Sequence, residues 1–250
     1  MSDTSATPSR PMLAPFPVDW SRCLAIVAHP DDLEYGAASA IAAWTDSGHE
    51  VTYLLVTRGE AGIDGLAPEE SGPLRSAEEI AGAAEVGVSV VEFLDHPDGT
   101  IVQSVELRRD IARAIRRHRP DVLVIINHHS TWGPGIRNQA DHIAVGHATL
   151  DAVPDAANRW IHRELLDEGL EPWAGVRFAA VGGSPQPTHA VDIGATLDRG
   201  IASLRAHRAY LEGLGASSMS DPGTFLRSMA EAAGAAAGCE LACTFELIDL

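Results

Sequence analysis

An imidazole and two adjacent carboxylates, His29, Asp31 and Asp32, follow directly on a short apolar run, Cys23-Leu24-Ala25-Ile26-Val27, in the stretch Ala28-His29-Pro30-Asp31-Asp32-Leu33-Glu34. Asp is a poor strand former, so local propensity does not account for a pair of them at a strand end. A capping Asp before a helix accounts for one carboxylate, not for two and a histidine. Metal chemistry accounts for all three. His29 and Asp32 can ligate a divalent ion, and Asp31 is left beside it as a base. Glu34 suits the first turn of the next helix, where the dipole favours negative charge.

A second group, Asn138-Gln139-Ala140-Asp141-His142, stands just before or at the start of a later helix. His142 offers a third ligand. Two imidazoles and one carboxylate leave a coordination position open, as hydrolytic zinc centres do. Asp141 would orient a ligand from the side.

These groups need a scaffold that brings them together. Strands are expected over 22–28, 51–56, 88–94 and 122–126, alternating with helices over 33–47, 74–86, 104–118 and 141–152. The run 122–126 is apolar throughout, which suggests burial on both faces, as in a parallel sheet. The rhythm predicts an α/β fold, a Rossmann-like doubly wound, mostly parallel sheet flanked by helices. Ligands bind such sheets beyond the carboxyl ends of the strands, where both groups lie. Further strands are expected over 176–181, 189–193 and 241–248, and a helix over 196–213 with Asp192 capping its start. Residues 211–238 read as a mobile loop. A disordered tail is expected over residues 1–20, ahead of a single domain over 21–250.

The two groups together resemble the LmbE-like (PIG-L) family of zinc-dependent N-deacetylases. The family's first motif, Ala-His-Pro-Asp-Asp-x-Glu, is matched in full by Ala28, His29, Pro30, Asp31, Asp32 and Glu34. Its second, His-Pro-Asp-His, is met only as Gln139-Ala140-Asp141-His142. Arg75 with Glu78-Glu79, Asp98-Gly99, Val191-Asp192-Ile193 and Ala206-His207-Arg208 extend the resemblance over about residues 22–210.

The resemblance implies an LmbE-like fold and a hydrolase that removes an N-acetyl or other small N-acyl group from an amino-sugar-like molecule. His29, Asp32 and His142 would hold Zn2+. Asp31 would be the general base on the water the zinc activates, whose pKa falls from about 15.7 toward about 7. Arg75 and Asp98 would contact a sugar or polyol substrate. Gln139 departs from the family: a carboxamide can donate to an oxyanion but cannot carry a proton. His128 and His129 are candidates to substitute for the missing imidazole. Two alternatives stay open, an amidase acting on a thiol-sugar conjugate and a metal-retaining binding protein that has lost turnover.

Composition narrows the partners. The 250 residues carry a formal net charge of −17, which repels nucleic acid and anionic membranes. Three cysteines, Cys23, Cys239 and Cys243, without a CxxC pair argue against a disulfide framework. No signal pattern is seen and no run reaches the roughly 18 apolar residues of a membrane span, so a cytoplasmic protein is expected. A homo-oligomer is left open. No GxGxxG follows the first strand, and two Asp there would repel a pyrophosphate, which disfavours a dinucleotide site. His147 is turned away from the His142 face, Asp95-His96-Pro97-Asp98 lacks a partner His at metal spacing, and His189 and His207 have no partner legible in the sequence.

Overall fold

The computed structural model describes residues 13–250. In chain order the elements are β1 (Ala14–Pro15), β2 (Arg22–Val27), α1 (Asp32–Gly36), α2 (Ala38–Asp46), β3 (Glu50–Leu55), α3 (Pro68–Glu85), β4 (Val90–Phe93), α4 (Val105–His118) and β5 (Val122–Ile126). A hairpin of β6 (Thr131–Gly133) and β7 (Ile136–Arg137) follows, then α5 (Ala140–Ala157), α6 (Glu164–Asp167), β8 (Phe178–Gly182), β9 (His189–Asp192), α7 (Leu197–Arg205), α8 (Arg208–Gly213), α9 (Pro222–Ala237) and β10 (Ala242–Asp249).

The expected mixed α/β fold is what forms. Eight strands make one sheet in the order β1-β9-β10-β8-β5-β2-β3-β4. The block β8-β5-β2-β3-β4 is parallel throughout. β10 runs antiparallel between β8 and β9. Alternation along β2 feeds two cores. Cys23, Ala25 and Val27 face one layer with α2, α7 and α9. Leu24, Ile26 and Ala28 face the other with α4 and α5. The chain leaves β2 toward β3 and β4, then returns to lay β5 on the other side of β2. The crevice between the carboxyl ends of β2 and β5 is the topological switch point of the sheet.

Several boundaries differ from expectation, each for a local reason. The helix expected over 33–47 breaks at Ala37 (φ −147°) into α1 and α2. The helix expected from 74 starts at Pro68, a favoured first helical position, and carries Pro73 on its exposed side. Arg75 therefore lies two turns into α3 and not at its start. α5 likewise runs on through Pro154. The helix over 196–213 is interrupted at Ala206-His207. Asp192 does not cap α7; its Oδ1 accepts from the Gly194 N–H at 2.9 Å, and Thr196 is the N-cap.

The largest difference lies in 211–238, read as a loop, which contains the sixteen-residue helix α9. Its stop and start signals are in the chain. Asp221 caps the first turn through Gly223 N and Thr224 N, Pro222 follows, and Gly238 closes the helix at φ 76°. The tail expectation splits. Residues 1–12 lie outside the described residues, but 13–20 are ordered against the fold, with Phe16 and Trp20 buried in its core. Ala14–Pro15 pairs with β9. Phe16 packs with ring centroids 4.9 Å from Trp44, 5.9 Å from Phe178 and 5.2 Å from Phe245. Among the described residues no helix is long and apolar enough to cross a membrane.

Phe16→Ala should therefore destabilise the fold by about 3–5 kcal/mol, the usual cost of truncating a core phenylalanine. Denaturant unfolding measures this, and a loss below about 1 kcal/mol would detach residues 13–20 from the core.

Candidate metal centre

β2 delivers the first motif to the switch point, and the turn after it is tightly determined. Asp32 Oδ2 accepts from the backbone N–H of Ala28 (3.1 Å) and His29 (2.9 Å). Asp31 adopts φ 93°, a left-handed backbone that costs a non-glycine residue about 1–3 kcal/mol and marks functional turns. The second motif arrives on the first turn of α5. The hairpin β6–β7 carries the chain from β5 to that helix.

His29, Asp32 and His142 come together, all three buried. Each offers a ligand atom within 4.8 Å of the others. His142 Nδ1 faces Asn138 Oδ1 at 3.0 Å, an acceptor, so this nitrogen carries the proton. In the neutral ring Nε2 is then a lone pair. It has no hydrogen-bond partner, and it stands 3.0 Å from Asp32 Oδ1, an acceptor. Two buried acceptors face to face are unfavourable unless a proton or a metal ion stands between them.

His29 is held in a similar way. Its Nε2 lies 3.0 Å from Asp98 Oδ1 and 3.3 Å from Asp141 Oδ2, and its Nδ1 faces Asp32 Oδ2 at 3.7 Å. Burial pushes the His29 imidazole down, but hydrogen bonds to Asp141, Asp32 and Asp98 outweigh it and hold its pKa well above the ordinary value. Burial likewise raises the Asp32 carboxyl, and the two imidazoles more than reverse this, keeping it well below the usual carboxylate range. The pocket demands positive charge. A divalent ion would meet that demand, with His29, Asp32 and His142 as the residues to hold it and Asp141, Asp98 and Asn138 against the rings from behind. The donor set of two imidazoles and one carboxylate suits zinc.

Other sequence-predicted residues sit differently from their assigned roles. Arg75 is buried. Its Nη2 donates to Asp31 Oδ2 at 2.9 Å and to Pro30 O, its Nη1 to Gly59 O at 3.0 Å, and Cζ lies 4.5 Å from the ring centroid of Tyr210. Asp98 is likewise engaged, accepting from Ala61 N at 2.9 Å besides facing His29. Both therefore support the site's own residues in this structure. Asp141 receives Gly99 N at 2.8 Å and Ile101 N at 3.2 Å, which ties α5 to the loop after β4. Gln139 is the exposed N-cap of α5, and its carboxamide makes no hydrogen bond to the described residues.

His128 and His129 do not converge on the trio. His129 Nε2 lies 2.6 Å from Glu246 Oε2, and His128 stacks on His129 and meets His147 edge-on. Burial and the neighbouring His129 push His128 down to about 4, which leaves it neutral at pH 7. His96 pairs with Asp110.

Burial lifts the Asp31 carboxyl, and with Asp32 it outweighs the pull of Arg75, so its pKa rises to about 6. Asn138, Glu79, Tyr210 and Trp132 were given no role by the sequence. Trp132 packs edge-on against His142 at 5.7 Å. Asn138 had a signal, four residues before His142 on the approach to α5, and Glu79 had one in the Glu78-Glu79 pair that extends the resemblance. A second cluster, Glu34, Glu79 and His207, also brings ligand atoms within 4.8 Å of one another. It is enclosed on all sides, with no open position for a substrate.

A family model described as GlcNAc-PI de-N-acetylase (PIG-L) matches residues 24–153, just over half of the chain and both motifs. The chain belongs to the PIG-L family. A diacetylchitobiose deacetylase of Thermococcus kodakarensis is 32% identical over 195 residues, covering 76% of this chain and 70% of that protein. A 1D-myo-inositol 2-acetamido-2-deoxy-alpha-D-glucopyranoside deacetylase of Kineococcus radiotolerans is 30% identical over 175 residues, covering 54% of this chain but only 45% of that enzyme. Among solved structures, the N,N'-diacetylchitobiose deacetylase of Pyrococcus horikoshii, complexed with its inhibitor MPG, superposes with TM-score 0.83 at 26% identity, covering 92% of this chain and 84% of that one.

Asn138 holds His142 in the tautomer that points Nε2 at Asp32. Asn138→Ala should weaken zinc affinity about 10- to 100-fold, as loss of such an outer partner does. Competition with a chelator measures it; unchanged affinity would show that His142 does not ligate through Nε2.

Proposed function

We propose that this PIG-L chain is a zinc-dependent hydrolase that removes the N-acetyl group from a small N-acetylated amino sugar. The observation that carries the reading is the unpartnered His142 Nε2 facing Asp32 Oδ1 at 3.0 Å, with His29 Nδ1 facing the other oxygen of Asp32 at 3.7 Å and Asp31 next in the chain. The named relatives act on N-acetylated sugars, and the site's chemistry suits an acetamide.

His29, Asp32 and His142 would hold the ion. A bound zinc would supply a Lewis acid for the acyl carbonyl and lower the pKa of water. Asp31 takes a proton from the attacking water as its oxygen bonds to the acyl carbon. The C–N bond then breaks, and Asp31 returns that proton to the leaving amine; acetate and the free amino sugar are the products. Arg75 holds Asp31 Oδ2 at 2.9 Å and keeps the carboxylate in one orientation through both transfers. A base near pKa 6 suits this exchange, because it is ionised at neutral pH and still a usable acid after protonation. Gln139, exposed at the first turn of α5, donates its amide N–H to the developing oxyanion. The helix N-terminus adds partial positive charge there.

Acetate release from N-acetylglucosamine and diacetylchitobiose by the zinc-loaded protein tests the reading. Asp31→Asn should lower kcat by about 10²- to 10⁴-fold, the range of a general base, with zinc content unchanged. Equal rates in the two proteins would remove Asp31 from the chemistry.

A second reading, a metal-holding binder without turnover, draws on Gln139 in place of an imidazole. The two separate on wild-type turnover. Gln139→Ala should cost about 100-fold in kcat if its amide serves the oxyanion. Sugar binding measured by calorimetry with no acetate released by wild type would favour the binder.

A further inference from the structure

Glu34, Glu79 and His207 take no part in the chemistry above, yet they form a buried polar cluster behind it. Glu34 comes from α1, Glu79 from α3, and His207 from the break between α7 and α8. His207 and Glu79 are fully buried and Glu34 nearly so. His207 Nε2 lies 3.7 Å from Glu79 Oε2 and 3.8 Å from Glu34 Oε2, while Glu34 Oε1 accepts from Ser203 Oγ at 3.1 Å. Gly82, one turn after Glu79, makes room for the approach. A Cβ there would meet Ser203 O at 3.0 Å and His207 Nε2 at 3.1 Å.

Two buried carboxylates are an expensive way to join three helices, and apolar side chains would join them more stably. The cluster has one connection to the site that apolar groups could not make. Glu79 Oε2 accepts the backbone N–H of Asp31 at 3.1 Å. That N–H belongs to the residue at φ 93°. Arg75, one turn earlier on the same face of α3, holds the carboxylate of the same residue. α3 thus grips Asp31 twice, by main chain and by side chain.

We propose that Glu79 is a positioning residue: its carboxylate, braced by His207 and Glu34, locks the left-handed turn at Asp31 and so aims the base. The proposal rests on Asp31 being the base of the reaction above. His207 supplies the compensating charge. Burial opposes its protonation, but Glu34 and Glu79 raise its pKa to about 9. Burial and Glu34 push the Glu79 carboxyl well above its ordinary value against the pull of His207, and Glu79 keeps an oxygen that accepts the Asp31 N–H in either protonation state.

The test compares Glu79→Leu, which removes the acceptor, with Glu79→Gln, which keeps an oxygen for the Asp31 N–H. Two readouts are taken on the zinc-loaded protein: steady-state kinetics, and hydrogen exchange at the Asp31 amide, which needs no substrate. Glu79→Leu should expose that amide to faster exchange and lower kcat about 100-fold, the cost of a misplaced catalytic group. KM and zinc content should not move. Glu79→Gln should keep both the protection and kcat within about threefold of wild type, because an amide oxygen accepts as well. Unchanged exchange at Asp31 in Glu79→Leu would overturn the proposal. So would loss of protection in Glu79→Gln, a readout that remains if the leucine variant does not fold. A wild type that turns over no N-acetylated sugar would sink the deacetylase reading, while the exchange comparison would still decide whether Glu79 locks the turn.

Discussion

The Asp32 carboxylate is the point on which the site is built. One oxygen ties the turn after β2 by accepting two main-chain N–H groups, Ala28 and His29. The other faces His142 from a different layer of the fold. A single side chain thus shapes its own loop and offers a ligand to a helix far along the chain. Asp31 is forced into its left-handed backbone by that same turn. An apolar group at position 32 would lose both relations together.

Around this point the protein balances charge in a dry space. Three carboxylates press on His29, and two press on His207. Arg75 answers Asp31. Buried ions of one sign are tolerated only with partners of the other. Both histidine clusters have ligand atoms at similar spacing, and both leave imidazole nitrogens without a hydrogen-bond partner. What separates them is position: His29, Asp32 and His142 stand at the switch point of the sheet, while Glu34, Glu79 and His207 are enclosed behind it.

The frame was legible in the chain. An apolar run such as Val122–Ile126, buried at every position, has little choice but a parallel strand between helices. The strand-end motif was legible too, because no packing rule explains His29, Asp31 and Asp32 together. Less legible was α9. Its cap, Asp221-Pro222, and its stop, Gly238, were present, but the Gly- and Ser-rich stretch before it masked them. Phe16 was hidden by the prolines around it. Its place among Trp44, Phe178 and Phe245 depends on strands that only the completed sheet assembles.

By itself the sequence determined residue chemistry and local order: which side chains can bind an ion, where strands and helices alternate, and that both motifs fall at strand-to-helix turns. Tertiary structure decided what each group does with its charge. Arg75 and Asp98 have the side chains of sugar-binding residues, but the fold turns them onto Asp31 and His29. Glu79 and His207 both extend the family resemblance in the sequence, but nothing along the chain pairs them until α3 and the α7–α8 break bring them to 3.7 Å behind the base. Motif spacing is a local property that the chain carries along its length. Burial, tautomer and the sign of the nearest charge arise only when distant segments exclude water between them.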